Sequence, residues 1–180
     1  LFDMLAQFAY QLHRSQSNRH NDAIIAGQRE QALHDLLSDG NLTQETIDET
    51  FLKIGVSKEG LWRIAVVKFD GIGDVPKVFH AYSLQKQDRR SLACVLGDEI
   101  VALLPAENAC AESLDSVKHF ANQHHGKLGI SSTIDDLIEV QIAHKQALFA
   151  IRIGTHVSQE RILEHLCGIE KDYPSNVFFF

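Results

Sequence analysis

The chain has 180 residues, 44% apolar and 23% charged, with 11 glycines and 3 prolines. That excludes disordered, collagen-like and low-complexity chains and fits one domain with room for a helical attachment. Its 17 basic and 24 acidic residues leave a net charge of −7, a poor balance for a segment that grips nucleic acid through its phosphates.

No run reaches the roughly 20 apolar residues a membrane helix needs. Three cysteines without a CxxC pair point to free thiols in a reducing, cytoplasmic compartment. The chain starts at Leu1 rather than methionine and stops inside the apolar run Phe178-Phe179-Phe180, so it reads as a module of something longer.

Residues 1–39 read as helix. Leu1, Leu5, Phe8 and Leu12 are spaced 4, 3 and 4, an a/d pattern. The pattern dissolves over Ser15 to Asp22 and returns with Ile24, Ile25, Ala32, Leu33, Leu36 and Leu37. It fits a coiled coil and equally a helix docked on its own domain. Gly40 is placed as a C′ stop, Thr43 as the cap of a second helix carrying Ile47, Phe51 and Leu52, and Gly55 as its end.

The period then changes. Leu61 to Phe69 is a nearly continuous apolar, β-branched run, expected of a central strand covered on both faces. Gly71, Gly73 and Pro76 predict a turn, followed by a short helix over Lys77 to Leu84. Leu92 to Leu96 and Ile100 to Leu104 are strand-length runs separated by Gly97-Asp98-Glu99, which predicts a tight antiparallel hairpin.

Asn108 to Gln123 reads as helix with Leu114, Val117, Phe120 and Ala121 as its buried stripe, and Gly126 to Ser131 as a short strand. Thr133 is expected to cap a long helix, with Asp135 and Asp136 in its first turn and Gly154 as its end. A separate helix from Ser158 and a final strand from Val177 complete the chain. Helices alternating with strands around one hairpin predict an α/β fold with a mixed sheet, related in layout to the ferredoxin-like group.

Few residues suggest chemistry. Of ten histidines, His119, His124 and His125 form the tightest cluster, but positions five apart on a helix point in different directions. No metal site is expected. Cys94, Cys110 and Cys167 are isolated, and Cys94 lies inside an apolar strand, where burial leaves a thiol inert. Gly71-Ile72-Gly73-Asp74 lacks the third glycine of a phosphate loop. What remains is Asp98 and Glu99 at the hairpin, beside a central strand leading to Asp70. Such acids gather a divalent cation and a triphosphate, or simply keep a glycine turn solvated.

Leu96-Gly97-Asp98-Glu99-Ile100, continued by Val-Ala-Leu-Leu-Pro, resembles the GGDEF signature hairpin of diguanylate cyclases. It resembles still more the degenerate form of that domain in PucR/CdaR-type bacterial transcriptional regulators. The lead-in from Glu30 to Gly40, the helix reaching Gly55-Val56, the strand Trp62 to Phe69, Gly129-Ile130-Ser131 and the helix with Leu137, Ala143, Ala147 and Leu148 follow in the same order.

The resemblance implies a GGDEF-like mixed sheet packed with helices, preceded by an N-terminal helical segment. Residues 1–40 would be a lead-in or dimerisation segment and 41–180 the regulatory domain. It also argues against catalysis. A working cyclase would carry a metal-binding aspartate where this chain has Lys68, and an ammonium there repels magnesium. The first signature glycine is replaced by Leu96, and no Asn-Asp pair between Gly71 and Arg90 serves a guanine base. Asp70, Asp98 and Glu99 then remain as ligand or vestigial-site residues. The helix from Ser158 to Cys167 departs from the regulators as an insertion.

The sequence therefore predicts a non-catalytic, cytoplasmic regulatory and dimerisation module of a bacterial transcriptional regulator, without cofactor. It would pass the state of an upstream sensor to a downstream helix-turn-helix domain. Leu1, Leu5, Phe8 and Leu12 would make the homodimer contact, and this segment would touch neither nucleic acid nor membrane. The alternatives are a sensor domain that binds a nucleotide or metabolite effector, and a divergent metal-dependent nucleotide cyclase.

Overall fold

The computed structural model describes residues 23–69, 75–84, 90–106, 111–166 and 177–179. Leu1, Leu5, Phe8, Leu12, Asp70, Gly71, Gly73, Cys110 and Cys167 lie outside them. The first described element is a helix over 23–38, α1. It is exposed at Ile24 and Ile25 but buries Ala32, Leu33 and Leu36 in the core.

Helix α2 (Gln44–Ile54) begins as expected: the Thr43 hydroxyl accepts from the Thr46 amide at 3.2 Å, satisfying one orphan donor of the first turn. It ends at Gly55, whose φ of 65° is left-handed and whose amide returns to the helix carbonyls.

The sheet follows. Strand β1 (Trp62–Lys68) leads to α3 (Val75–Leu84), strands β2 (Leu92–Leu96) and β3 (Glu99–Pro105), helix α4 (Ala111–Gln123), strand β4 (Lys127–Ile130), helix α5 (Val140–Leu166) and strand β5 (Val177–Phe179). The order across the sheet is β2-β3-β1-β4-β5. β1 lies between β3 and β4, antiparallel to both, and β5 joins β4 in parallel. The sheet is therefore mixed, as expected.

The nearly continuous apolar run of β1 is explained by cover on both sides. Trp62, Ile64 and Val66 face one core with α1, α2 and α5. Ala65 and Val67 face the other, against α3 and α4. Among the described residues, no helix is long and apolar enough to cross a membrane.

Four expectations need correction. Pro76 sits inside the first turn of α3 rather than in a preceding turn, where its missing N–H has no helical partner to lose. Asp136, not Thr133, caps the helix, through a short 3-10 turn (Leu137–Glu139) that leads into α5. Residues before it stay extended because Trp62 and Ile134 exchange two backbone hydrogen bonds of 2.8 Å. Finally, Gly154 does not stop α5, and the helix expected from Ser158 is the continuation of the same helix to Leu166. A buried glycine in a helix interior costs only about 1 kcal/mol, and Gly154 is buried.

Candidate functional site

The hairpin between β2 and β3 is built as its sequence requires. Gly97 takes a φ of 64°, a left-handed value that a side chain resists, and Asp98 completes a two-residue turn closed by the pairing of Leu96 with Glu99. The register then does the positioning. Glu99 opens β3 opposite Lys68, the last residue of β1, and directly opposed residues of an antiparallel pair project from the same face.

That face is the one covered by α5. There the Lys68 ammonium lies 3.3 Å from Glu99 Oε1 and 3.4 Å from Asp98 Oδ2. The other Glu99 oxygen, Oε2, lies 3.5 Å from Nε2 of His144 on α5. Lys127, opening β4, is in register with Lys68 on its other side.

The two acids sit in different surroundings. Asp98 keeps 65% of its side chain exposed, whereas Glu99 keeps 11%. A carboxylate taken from water in this way needs a counter-charge. Burial pulls the Lys68 ammonium down, but the hydrogen bond and charge of Glu99, then those of Asp98, outweigh it and hold its pKa above the ordinary lysine value. The group stays charged throughout the physiological range.

The structure thus brings together Asp98 and Glu99 of the expected residues and adds Lys68 and His144; Asp70 lies outside the described residues. Lys68 was legible as a basic residue where the cyclase resemblance calls for an acid. His144 was missed among ten histidines. Its signal was position: it follows Ala143 on the buried Val140, Ala143, Ala147 stripe of α5.

The magnesium that the cyclase resemblance implies does not fit this donor set. Divalent ions need converging oxygens with their negative charge available, and here an ammonium bridges both carboxylates. Among the described residues, no group of three or more His, Cys, Asp or Glu converges to hold a metal ion. Of the histidine cluster, His124 stacks on Phe120 at 4.7 Å, and His125 turns the chain out of α4 with a φ of 53°.

Cys94 is fully buried, and desolvation, helped by the Glu30 carboxylate, pushes its thiol up to about 12, far from a nucleophile's range. A shallow polar cleft of about 280 Å³ lies elsewhere, between the start of α2 and the 3-10 turn, lined by Gln44, Lys58, Glu59, Asp135 and Asp136.

A mixed sheet with β1 between two antiparallel neighbours, and a glycine-aspartate hairpin at its end, defines an α/β domain of the GGDEF type. Residues 39–153, well over half of the chain, match the family described as GGDEF-like domain, and the protein belongs to that family. No curated protein and no solved structure matches the chain.

Proposed function

We propose that this GGDEF-like domain is a non-catalytic regulatory module of a bacterial transcriptional regulator, cytoplasmic and homodimeric through its N-terminal helix. In this reading it relays the state of an upstream sensor to a DNA-binding domain outside this sequence. The observation that carries it is the path of α1. One continuous helix runs from exposed Ile24 and Ile25 to Leu33 and Leu36, which are buried in the core.

The end of α1 is also held by α5. Gln141 Nε2 donates to the carbonyls of Leu36 at 3.1 Å and Asp39 at 2.5 Å. A rotation or separation imposed on the exposed end of such a helix reaches the sheet, because packed interfaces shift between discrete arrangements rather than deform smoothly. The ammonium between Asp98 and Glu99 supports the absence of catalysis.

Sedimentation tests the dimer. The wild type is expected to be dimeric at tens of micromolar, and Leu5→Ser with Phe8→Ser to be monomeric; a monomeric wild type or a fully dimeric variant overturns the assignment. Incubation with GTP or ATP plus magnesium or manganese, followed by chromatography, tests catalysis. No product is expected, and turnover that disappears in Asp98→Asn overturns that part of the reading.

A further inference from the structure

We infer that the outward face of α5 is the docking site of residues 1–12 of the same chain, and that this docking competes with the pairing of those residues between two copies. The docking stands apart from the dimer reading; only its regulatory consequence rests on that reading.

The face is defined by its exposure. Ile138 in the 3-10 turn and Ile142, Phe149 and Ile153 on α5 are 43%, 56%, 46% and 45% exposed. At about 100° per residue the three helical positions fall within about 40° of arc, turned away from the buried Ala143, Ala147 and Ala150. The outward face of a helix ordinarily carries polar residues and strong helix formers, and isoleucine is neither. A contiguous apolar stripe of this kind marks a surface that is covered in the working protein.

The occupant is argued from the same chain. Leu1, Leu5, Phe8 and Leu12 make an apolar stripe that spans as many residues as Ile142 to Ile153, about 16 Å of helix in each case. The one charged residue within 1–12 is Asp3, and the exposed charges beside the stripe on α5 are Lys145 and Arg152. Opposite signs favour this encounter, whereas a second α5 would bring the same two cations.

The chain is also long enough. Gln141 ties the first turn of α5 to the end of α1, and α1 from Leu36 back to Ala23 is about 20 Å long. Residues 12–23 span up to about 36 Å when extended. They include Ser15, Ser17, Asn18, Asn21 and Asp22, types that favour turns and caps over helix interiors. A linker of this length holds the stripe near α5 at about millimolar effective concentration. Docked residues cannot pair with another copy, so each copy must first release them and dimers need more protein to form. A sensor that draws residues 1–12 off α5 thereby promotes the dimer.

The test is photo-crosslinking from Ile142→p-benzoylphenylalanine, a substitution at a position that is 56% exposed. The protein is irradiated when dilute, and the monomer band is digested and mapped by mass spectrometry. Crosslinks to residues 1–12 within the monomer are expected, and adding Leu5→Ser with Phe8→Ser should remove them. Crosslinks to those residues in the dimer band alone, crosslinks to a second α5, or none to residues 1–12 overturn the proposal. This readout does not need a dimer, so it decides the docking even where the dimer reading fails.

Sedimentation of Ile142→Ser with Ile153→Ser reads the competition. Its dimers should form at about tenfold lower concentration than those of the wild type. An unchanged midpoint shows that docking does not restrain pairing and overturns the competition. A higher midpoint shows that α5 is itself part of the dimer contact and overturns it too.

Discussion

The two faces of the sheet are filled by the same strands and both bury apolar clusters, but they differ in what is added to that packing. Against α3 and α4 the interior is a chain of rings: Phe69 on Phe120 at 6.3 Å, Phe120 on Tyr82 at 4.8 Å, and Tyr82 on Phe79 at 6.4 Å. Against α1, α2 and α5 the packing includes the Phe51–Trp62 ring pair but is crossed by polar ties between residues far apart in the chain. Ile64 N–H donates to Ser131 Oγ at 2.9 Å, which donates in turn to the Ser132 carbonyl. Gln141 joins α5 to the end of α1, and Lys68 joins β1 to the hairpin.

Apolar contacts are non-directional, whereas a buried hydrogen bond has one partner and one geometry. Both faces bury apolar clusters that stabilise the sheet. The tied face fixes the lead-in helix, the hairpin and α5 relative to the sheet.

The largest expected effect breaks the ring face. Phe120 touches three of the rings around it and is fully buried. Phe120→Ala should cost about 3–5 kcal/mol in urea unfolding. A loss below about 1 kcal/mol would mean that the rings do not act as one cluster.

Next comes the tied face at its closest backbone approach. A Cβ on Gly129 would collide with the Ala147 carbonyl oxygen and lie 2.7 Å from the Ile151 side chain. The obstacle is backbone, so α5 as a whole must move off β4. Gly129→Ala should cost about 3 kcal/mol, the upper part of the usual overpacking range, and should leave the Phe120 cluster's near-ultraviolet signal in place in the folded fraction.

Smaller again is the loss of one tie. Gln141→Ala removes both donors to the end of α1 and should cost about 1 kcal/mol. Its sharper signature is local. Amide exchange should accelerate along residues 29–38 and stay unchanged in β3. Uniform acceleration would mean that α1 and the sheet open only together.

Much of this division was readable in advance where the determinant is local. Thr43 and Gly55 bound α2 because capping and left-handed φ act over a single turn. The hairpin at Gly97-Asp98 was legible for the same reason, and so was the burial of β1, whose apolar run leaves no polar face. The misreadings share the opposite cause. Thr133 has the chemistry of a cap, yet Ile134 is claimed by Trp62, distant in sequence. Gly154 has the look of a stop, yet it is buried and α5 runs on through it to Leu166.

The candidate site divides in the same way. Asp98 and Glu99 stood out because they are adjacent. The pairing of Glu99 with His144 depends on how α5 lies across the sheet, which no spacing within either segment encodes.

The last prediction sharpens the comparison through a group that is silent at neutral pH. Cys94 lies on the tied face, under α1, and its thiol is pushed from 9.0 to about 12 by burial first and the Glu30 carboxylate second. Because the folded state holds the proton more tightly than the unfolded state, the neutral thiol favours folding fully below pH 9. That contribution falls as pH rises from about 9 towards about 12, at about 1.4 kcal/mol per pH unit.

Cys94→Ala should therefore match the wild type's pH dependence at neutrality and lose less stability between pH 9 and 10.5 or so. Parallel curves in that window would mean that water reaches the thiol and that α1 does not seal this face. Glu30→Gln should shrink the wild type's alkaline loss by a smaller amount than Cys94→Ala, since it leaves burial, the larger cause, intact. The difference between the wild type and Glu30→Gln measures how closely Glu30 on the lead-in helix is held to Cys94 of β2.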